Sequence, residues 1–205
     1  HGAAIGDDRD VSAFAGDGRG LQFEGGREDS VLAEIQLLVK VRVVSCHAEK
    51  LTLGPDGFLY ITIGDNHNGA GPQSPTELRG KLLRVDRDGK AAAGNKPPAG
   101  FDQRIFAYGF RNPQGIAFRP GTNEVFISEN GPWHTDEVTK LVNGGNGGWD
   151  PRDNRNGRGP CPDNYCGYSP NQMGAMDPKE RSAFMPMTDS KAYPNAMKPA
   201  WTNNG

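Results

Sequence analysis

The chain has 205 residues, 35% of them hydrophobic and 23% charged, with a formal net charge of −2. That composition supports a folded domain with a core and excludes a charge-driven disordered chain. The near-neutral balance gives no electrostatic basis for binding nucleic acid, and no apolar stretch is long enough to span a bilayer. Glycine (29) and proline (16) together exceed average usage, which favours short strands joined by many turns. The sequence starts at His1 without Met or a signal peptide, as expected of a processed or truncated form.

Residues 1–30 are rich in Gly, Asp and Arg without a hydrophobic period and read as loop-dominated. The run VLAEIQLLVKVRVV over Val31–Val44 fits a helix turning into a strand, or two strands. Leu51–Asp65, LTLGPDGFLYITIGD, predicts a β-hairpin, because a Pro-Asp-Gly turn separates two β-rich runs. KLLRVD (Lys81–Asp86) and RIFAYGF (Arg104–Phe110) read as further strands, and IAFRPGTNEVFISENG (Ile116–Gly131) repeats the hairpin pattern. Recurring hairpins with strands between them suggest radially repeated four-stranded blades, spaced more widely than the roughly 40–45 residues of a WD-type repeat. After Trp149 the period is lost, and residues 150–205 read as a long loop or insertion. Within it Cys161 and Cys166 flank a four-residue turn that fits a local disulfide better than zinc, pointing to an oxidising compartment; Cys46 reads as a buried thiol.

Polar residues leave both hairpins: Gly64-Asp65-Asn66-His67-Asn68 after the first and Ser128-Glu129-Asn130-Gly131-Pro132 after the second. Strand ends of a propeller converge on one mouth, so these residues suit a pocket, although alone they suit turn chemistry equally. Between them, Arg111-Asn112-Pro113-Gln114 combines a fixed guanidinium fork with two amides, a binding-site composition. Asp136-Glu137 offers hard oxygen ligands to calcium or a solvated acidic pair. His47 precedes the first hairpin and Asp65 closes it, which would set an imidazole beside an orienting carboxylate. His67 and His134 are the alternative bases.

In chain order, GPDGFLYITIGD, RGKLLRVDRDG, IFAYGFRNPQGIAF, SENGP followed by Asp-Glu, and GGNGGW resemble the glucose/sorbosone dehydrogenase family of soluble pyrroloquinoline-quinone (PQQ) proteins. The resemblance runs from about His47 to Trp149 and implies an all-β fold, a six-bladed β-propeller. This chain would then be a single partial propeller of about three blades with long inter-blade loops: residues 1–45 poorly matched, 46–149 the core blades, 150–205 the loop. It also implies a PQQ- and calcium-dependent oxidoreductase acting on an aldose or sorbosone-type sugar, with an external electron acceptor, in an extracellular or periplasmic location.

By motif position, the resemblance makes His47 the base, Asp65 its orienting partner and Arg111 a group that offsets charge. Arg111, Asn112, Gln114 and Asn130 would contact PQQ. The carbonyls of Gly131 and Pro132 would bind the calcium that grips it, and Asp136 and Glu137 would serve a second calcium. Three departures stand out: the stretch from His47 to Leu51 is one residue short of the family pattern, residues 1–45 do not match the opening blade, and no later cations for the PQQ carboxylates occur before Gly205. A non-catalytic carbohydrate- or protein-binding propeller is the competing expectation; a lactonase on a similar propeller would have no need of Arg111.

Overall fold

The computed structural model describes residues 48–132, 135–151 and 185–203. The expectations placed on Val31–Val44, Cys46, His47, His134 and the Cys161–Cys166 pair lie outside the described residues. Among those described, every regular element is a strand apart from one 3-10 turn at Gly71–Gln73. None forms a helix long and apolar enough to cross a membrane.

The predicted first hairpin is β1 (Ala48–Leu53) and β2 (Leu59–Ile63), followed by β3 (Lys81–Val85) and β4 (Ile105–Tyr108). These four pair antiparallel in sequence order. The second hairpin is β5 (Pro113–Phe118) and β6 (Val125–Glu129), extended by β7 (Glu137–Lys140). The short β8 (Gly145–Asn146) joins the first sheet parallel to β4, and β9 (Trp201–Thr202) pairs with β7 in the second. Two blade-like sheets are therefore present among the described residues. Residues 201–202 fall in the stretch read as loop, yet they complete the second sheet; a two-residue strand carries no period to detect.

Strand alternation places the core. Tyr60, Leu82, Phe106 and Ala107 of the first sheet meet Val125 and Ile127 of the second in one buried cluster. The opposite face of the first sheet buries Leu59, Ile61, Ile63, Leu83, Val85 and Ile105. Each such aliphatic side chain contributes on the order of 1.5–3 kcal/mol when fully withdrawn from water. The first sheet is thus covered on both faces, whereas β6 alternates between buried and more accessible positions.

Two polar devices set the connections. Asp56, in the first turn, accepts from Tyr60 Oη at 2.8 Å and Arg84 Nε at 2.9 Å, tying the hairpin tip to β3. Burial pushes the Asp56 carboxyl up, but hydrogen bonds from Tyr60, the Phe58 amide and Arg84 outweigh it and leave it below the usual range. Lys81 is fully buried, and its Nζ donates to the carbonyls of Gly71, Pro72 and Arg79 at 2.7, 2.9 and 2.9 Å. Burial lowers its pKa to about 7. Three carbonyl acceptors nevertheless match the three donors of an ammonium, where a neutral amine has only two N–H groups, so the geometry favours the charged form.

Candidate functional site

β2, β4 and β6 end on the same side of the molecule, and backbone hydrogen bonds sew their exits together. Asp65 N donates to Arg111 O at 2.8 Å, and Asn130 N donates to Asn112 O at 3.1 Å. The predicted residues Asp65, Arg111, Asn112 and Asn130 are therefore brought to one place. Arg111 closes the arrangement: its Nη1 donates to Asn130 O at 2.7 Å, beside the Gly131-Pro132 peptide.

Asp65 is buried, and its two oxygens face different partners. Oδ1 accepts from His67 N at 3.1 Å, and Oδ2 accepts from Trp149 Nε1 at 2.7 Å. The first bond belongs to a tight turn in which Asn66 and His67 adopt left-handed backbone, φ 50° and 55°. Non-glycine residues held there cost on the order of 1 kcal/mol or more each, which the Asp65 contacts offset. Both side chains are exposed.

The approach of β4 to this site depends on small residues. A Cβ on Gly109 would lie 1.9 Å from Asn146 Oδ1, and one on Gly80 would lie 2.5 Å from the Phe110 carbonyl. Both have positive φ, 79° and 64°. Glycine at these positions lets the β2–β3 connection and β8 close on the chain around Phe110, the fully buried residue that precedes Arg111.

Glu129 lies beneath Arg111 and accepts from its backbone N at 2.9 Å. Burial, with the Glu137 charge adding to it, raises the Glu129 carboxyl to about 8, against the opposing pull of the Arg111 and Asn112 backbone amides and the Arg111 charge. Glu137 pairs with Glu129 across β6 and β7, and burial pushes it up to about 7 against the hydrogen bond from Thr188 Oγ1 at 2.9 Å. Sequence reasoning treated Glu129 only as part of a polar exit. Its signal was available, since Val125, Ile127 and Glu129 share one face of the strand.

The remaining predicted ligands sit as follows. Gln114 is exposed in a register irregularity of β5 between Pro113 and Gly115, a feature that re-aims side chains beside many sites. A similar irregularity between Ala48 and Lys50 begins β1, and Ala48 pairs with Ile63, so β1 starts at the Asp65 end of the sheet. His47 itself lies outside the described residues. Asp136 Oδ1 accepts from Gly131 N at 2.8 Å, and Oδ2 from Asn203 Nδ2 at 3.4 Å. Its neighbour Glu137 turns inward toward Glu129 and Thr188 instead. Among the described residues no three His, Cys, Asp or Glu side chains are grouped to hold a metal. Gly131 and Pro132 offer main-chain oxygens, the hard ligand type that calcium takes. An open cleft of about 310 Å³ is lined by Tyr108, Asn146 and Tyr193 and includes none of the predicted residues.

Residues 31–204 match the family described as Glucose / Sorbosone dehydrogenase. An aldose sugar dehydrogenase, YliI, of Escherichia coli is 29% identical over 71% of this chain and 39% of its own length. Quinoprotein glucose dehydrogenase B of Acinetobacter calcoaceticus is 34% identical over 49% of this chain and 25% of its own. A crystal structure of a glucose dehydrogenase superposes with TM-score 0.55 at 25% identity, covering 78% of this chain and 40% of that one. The chain thus spans about two fifths or less of these relatives. With more than four fifths of its length matched to that family, the chain belongs to the glucose/sorbosone dehydrogenases.

Proposed function

We propose that this chain serves a PQQ- and calcium-dependent dehydrogenase that oxidises a CH–OH group of an aldose or sorbosone-type sugar. The observation carrying this reading is the junction at Arg111, whose guanidinium reaches Asn130 O at 2.7 Å while its carbonyl accepts from Asp65. The cationic fork therefore lies against the main chain that leads into Gly131-Pro132, while the Arg111 backbone is tied to that of Asp65. The partly exposed Arg111 and Asn112, with exposed Gln114 and Asn130, form a donor-rich rim suited to a flat, anionic, oxygen-rich ligand.

When bound, PQQ supplies a two-electron acceptor for the hydride leaving the sugar carbon, with calcium as a Lewis acid on its oxygens. The chain's residues do the rest. Arg111 binds the cofactor and offsets negative charge; Asn112, Gln114 and Asn130 orient it; the Gly131 and Pro132 carbonyls hold the calcium. A ring nitrogen of His47 takes the sugar hydroxyl proton, and Asp65 orients that imidazole and stabilises its charged form. Asp136 keeps the Gly131 peptide in place through its N–H.

The test is reconstitution of the full-length protein with PQQ and calcium, followed by dye reduction, the dye standing in for the external electron acceptor. Sugar-dependent reduction with at least one aldose is expected. Tight PQQ binding without turnover on any aldose would favour the non-catalytic, carbohydrate-binding alternative.

A further inference from the structure

We propose that Trp149 is a positioning residue that fixes the Asp65 carboxylate for its work on the base. The inference rests on the reading of Asp65 as the carboxylate that orients the imidazole.

Trp149 is held on every side before its indole meets Asp65. Its N donates to Gly109 O at 2.9 Å, and its O accepts from Gln73 Nε2 at 3.0 Å. Gln73 is locked in turn by a reciprocal amide pair with Asn146, both bonds 3.0 Å. The ring is 1% exposed and packs with Met185 and Met187. With backbone and ring both fixed, Nε1–H points to Asp65 Oδ2 at 2.7 Å.

Burying an indole N–H calls for an acceptor, but a backbone carbonyl would suffice at far lower desolvation cost than a carboxylate. A buried carboxylate as that acceptor is the costly choice, and it makes sense where the carboxylate itself must be held. Oδ1 is tied to His67 N and Oδ2 to Trp149, so two donors from separate segments set the plane of the group. A carboxylate accepts about four hydrogen bonds, and one on each oxygen is enough to fix its plane.

The experiment uses the full-length protein with PQQ and calcium, in four forms: parent, Trp149→Phe, Asp65→Asn and the double variant. Phe keeps an aromatic ring, though a smaller one than the indole, and removes the donor. Trp149→Phe is expected to lower kcat roughly tenfold or more, with KM and PQQ affinity little changed. In the Asp65→Asn background it should cost nothing further, because Trp149 acts through Asp65; a merely structural residue would add its loss in both backgrounds.

Independently of turnover, the Trp149 indole N–H resonance in 15N-labelled protein should move upfield in Asp65→Asn. Unchanged kcat in Trp149→Phe, an equal loss in both backgrounds, or an indole resonance indifferent to Asp65→Asn would each overturn the proposal. The resonance arm needs no folded Trp149 variant. Full turnover by Asp65→Asn with a shifted indole would instead mark failure of the underlying Asp65 reading, and the positioning role would fall with it.

Discussion

The two hairpins use the same ending for different purposes. Each closes on a carboxylate two residues beyond a fully buried isoleucine, Asp65 after Ile63 and Glu129 after Ile127. At the first exit the carboxylate accepts from the Trp149 indole and the His67 amide. At the second it lies beside Glu137 and accepts from Arg111 N. The hairpin tips differ in the same manner: Asp56 binds Arg84 in a largely buried pair, whereas Glu124 bridges exposed Arg119 and Lys140. A repeated backbone thus supplies equivalent positions, and the neighbours brought by other strands decide what a carboxylate there does.

The strongest way to break this comparison is at the connection supporting the first exit. Lys81→Met removes the ammonium that saturates the Gly71, Pro72 and Arg79 carbonyls and leaves them buried without their donor. A loss of about 3–5 kcal/mol in folding stability is expected, measured by urea denaturation. Next comes the group shared by both exits: Arg111→Ala should weaken PQQ binding about a hundredfold, equal to about 2.7 kcal/mol, by titration of the apo protein.

The tips should then separate cleanly. Asp56→Ala strips Arg84 of its buried partner and should cost about 2 kcal/mol in the same denaturation assay, with PQQ affinity intact. A smaller effect concerns pH. Between the ordinary glutamate range and about 8, the folded protein binds more protons at Glu129 than the unfolded chain, so stability falls as pH rises through that window. Glu129→Gln keeps an acceptor for Arg111 N and abolishes this ionisation. In calcium-chelating buffer its stability should decline less than the parent's between pH 5 and 8, by about 1 kcal/mol or more. The smallest effect is at the exposed tip, where Glu124→Ala should leave the melting temperature unchanged.

Much of the fold was legible because the signals are local. LTLGPDGFLYITIGD and IAFRPGTNEVFISENG show alternation around turn residues, and the strands formed there; β5 merely begins three residues earlier, at Pro113. Part of the candidate site is legible as composition: Asp65 and Asn130 stand out as polar residues at hairpin exits and Arg111 and Asn112 as a donor-rich stretch between strands, and hydrogen bonds join Asp65 to Arg111, Asn112 to Asn130 and Arg111 to Asn130. Trp149 and Lys81 were not identified as polar partners, because a tryptophan in a glycine-rich run and a lysine opening a strand look ordinary until distant acceptors surround them. The sequence offers Asp136 as half of an acidic pair, and its bond to Gly131 N appears only once the loop is closed.

By itself the sequence determined the strand-and-turn grammar, the inward face of each strand and the choice of residues at the exits, since these depend on side-chain alternation and backbone preference within a few residues. Only the tertiary structure decided which exit meets which, that an indole 84 positions along reaches Asp65, and that two glutamates share a buried face. Those outcomes depend on register between strands and on desolvation, and neither is a property of any short segment.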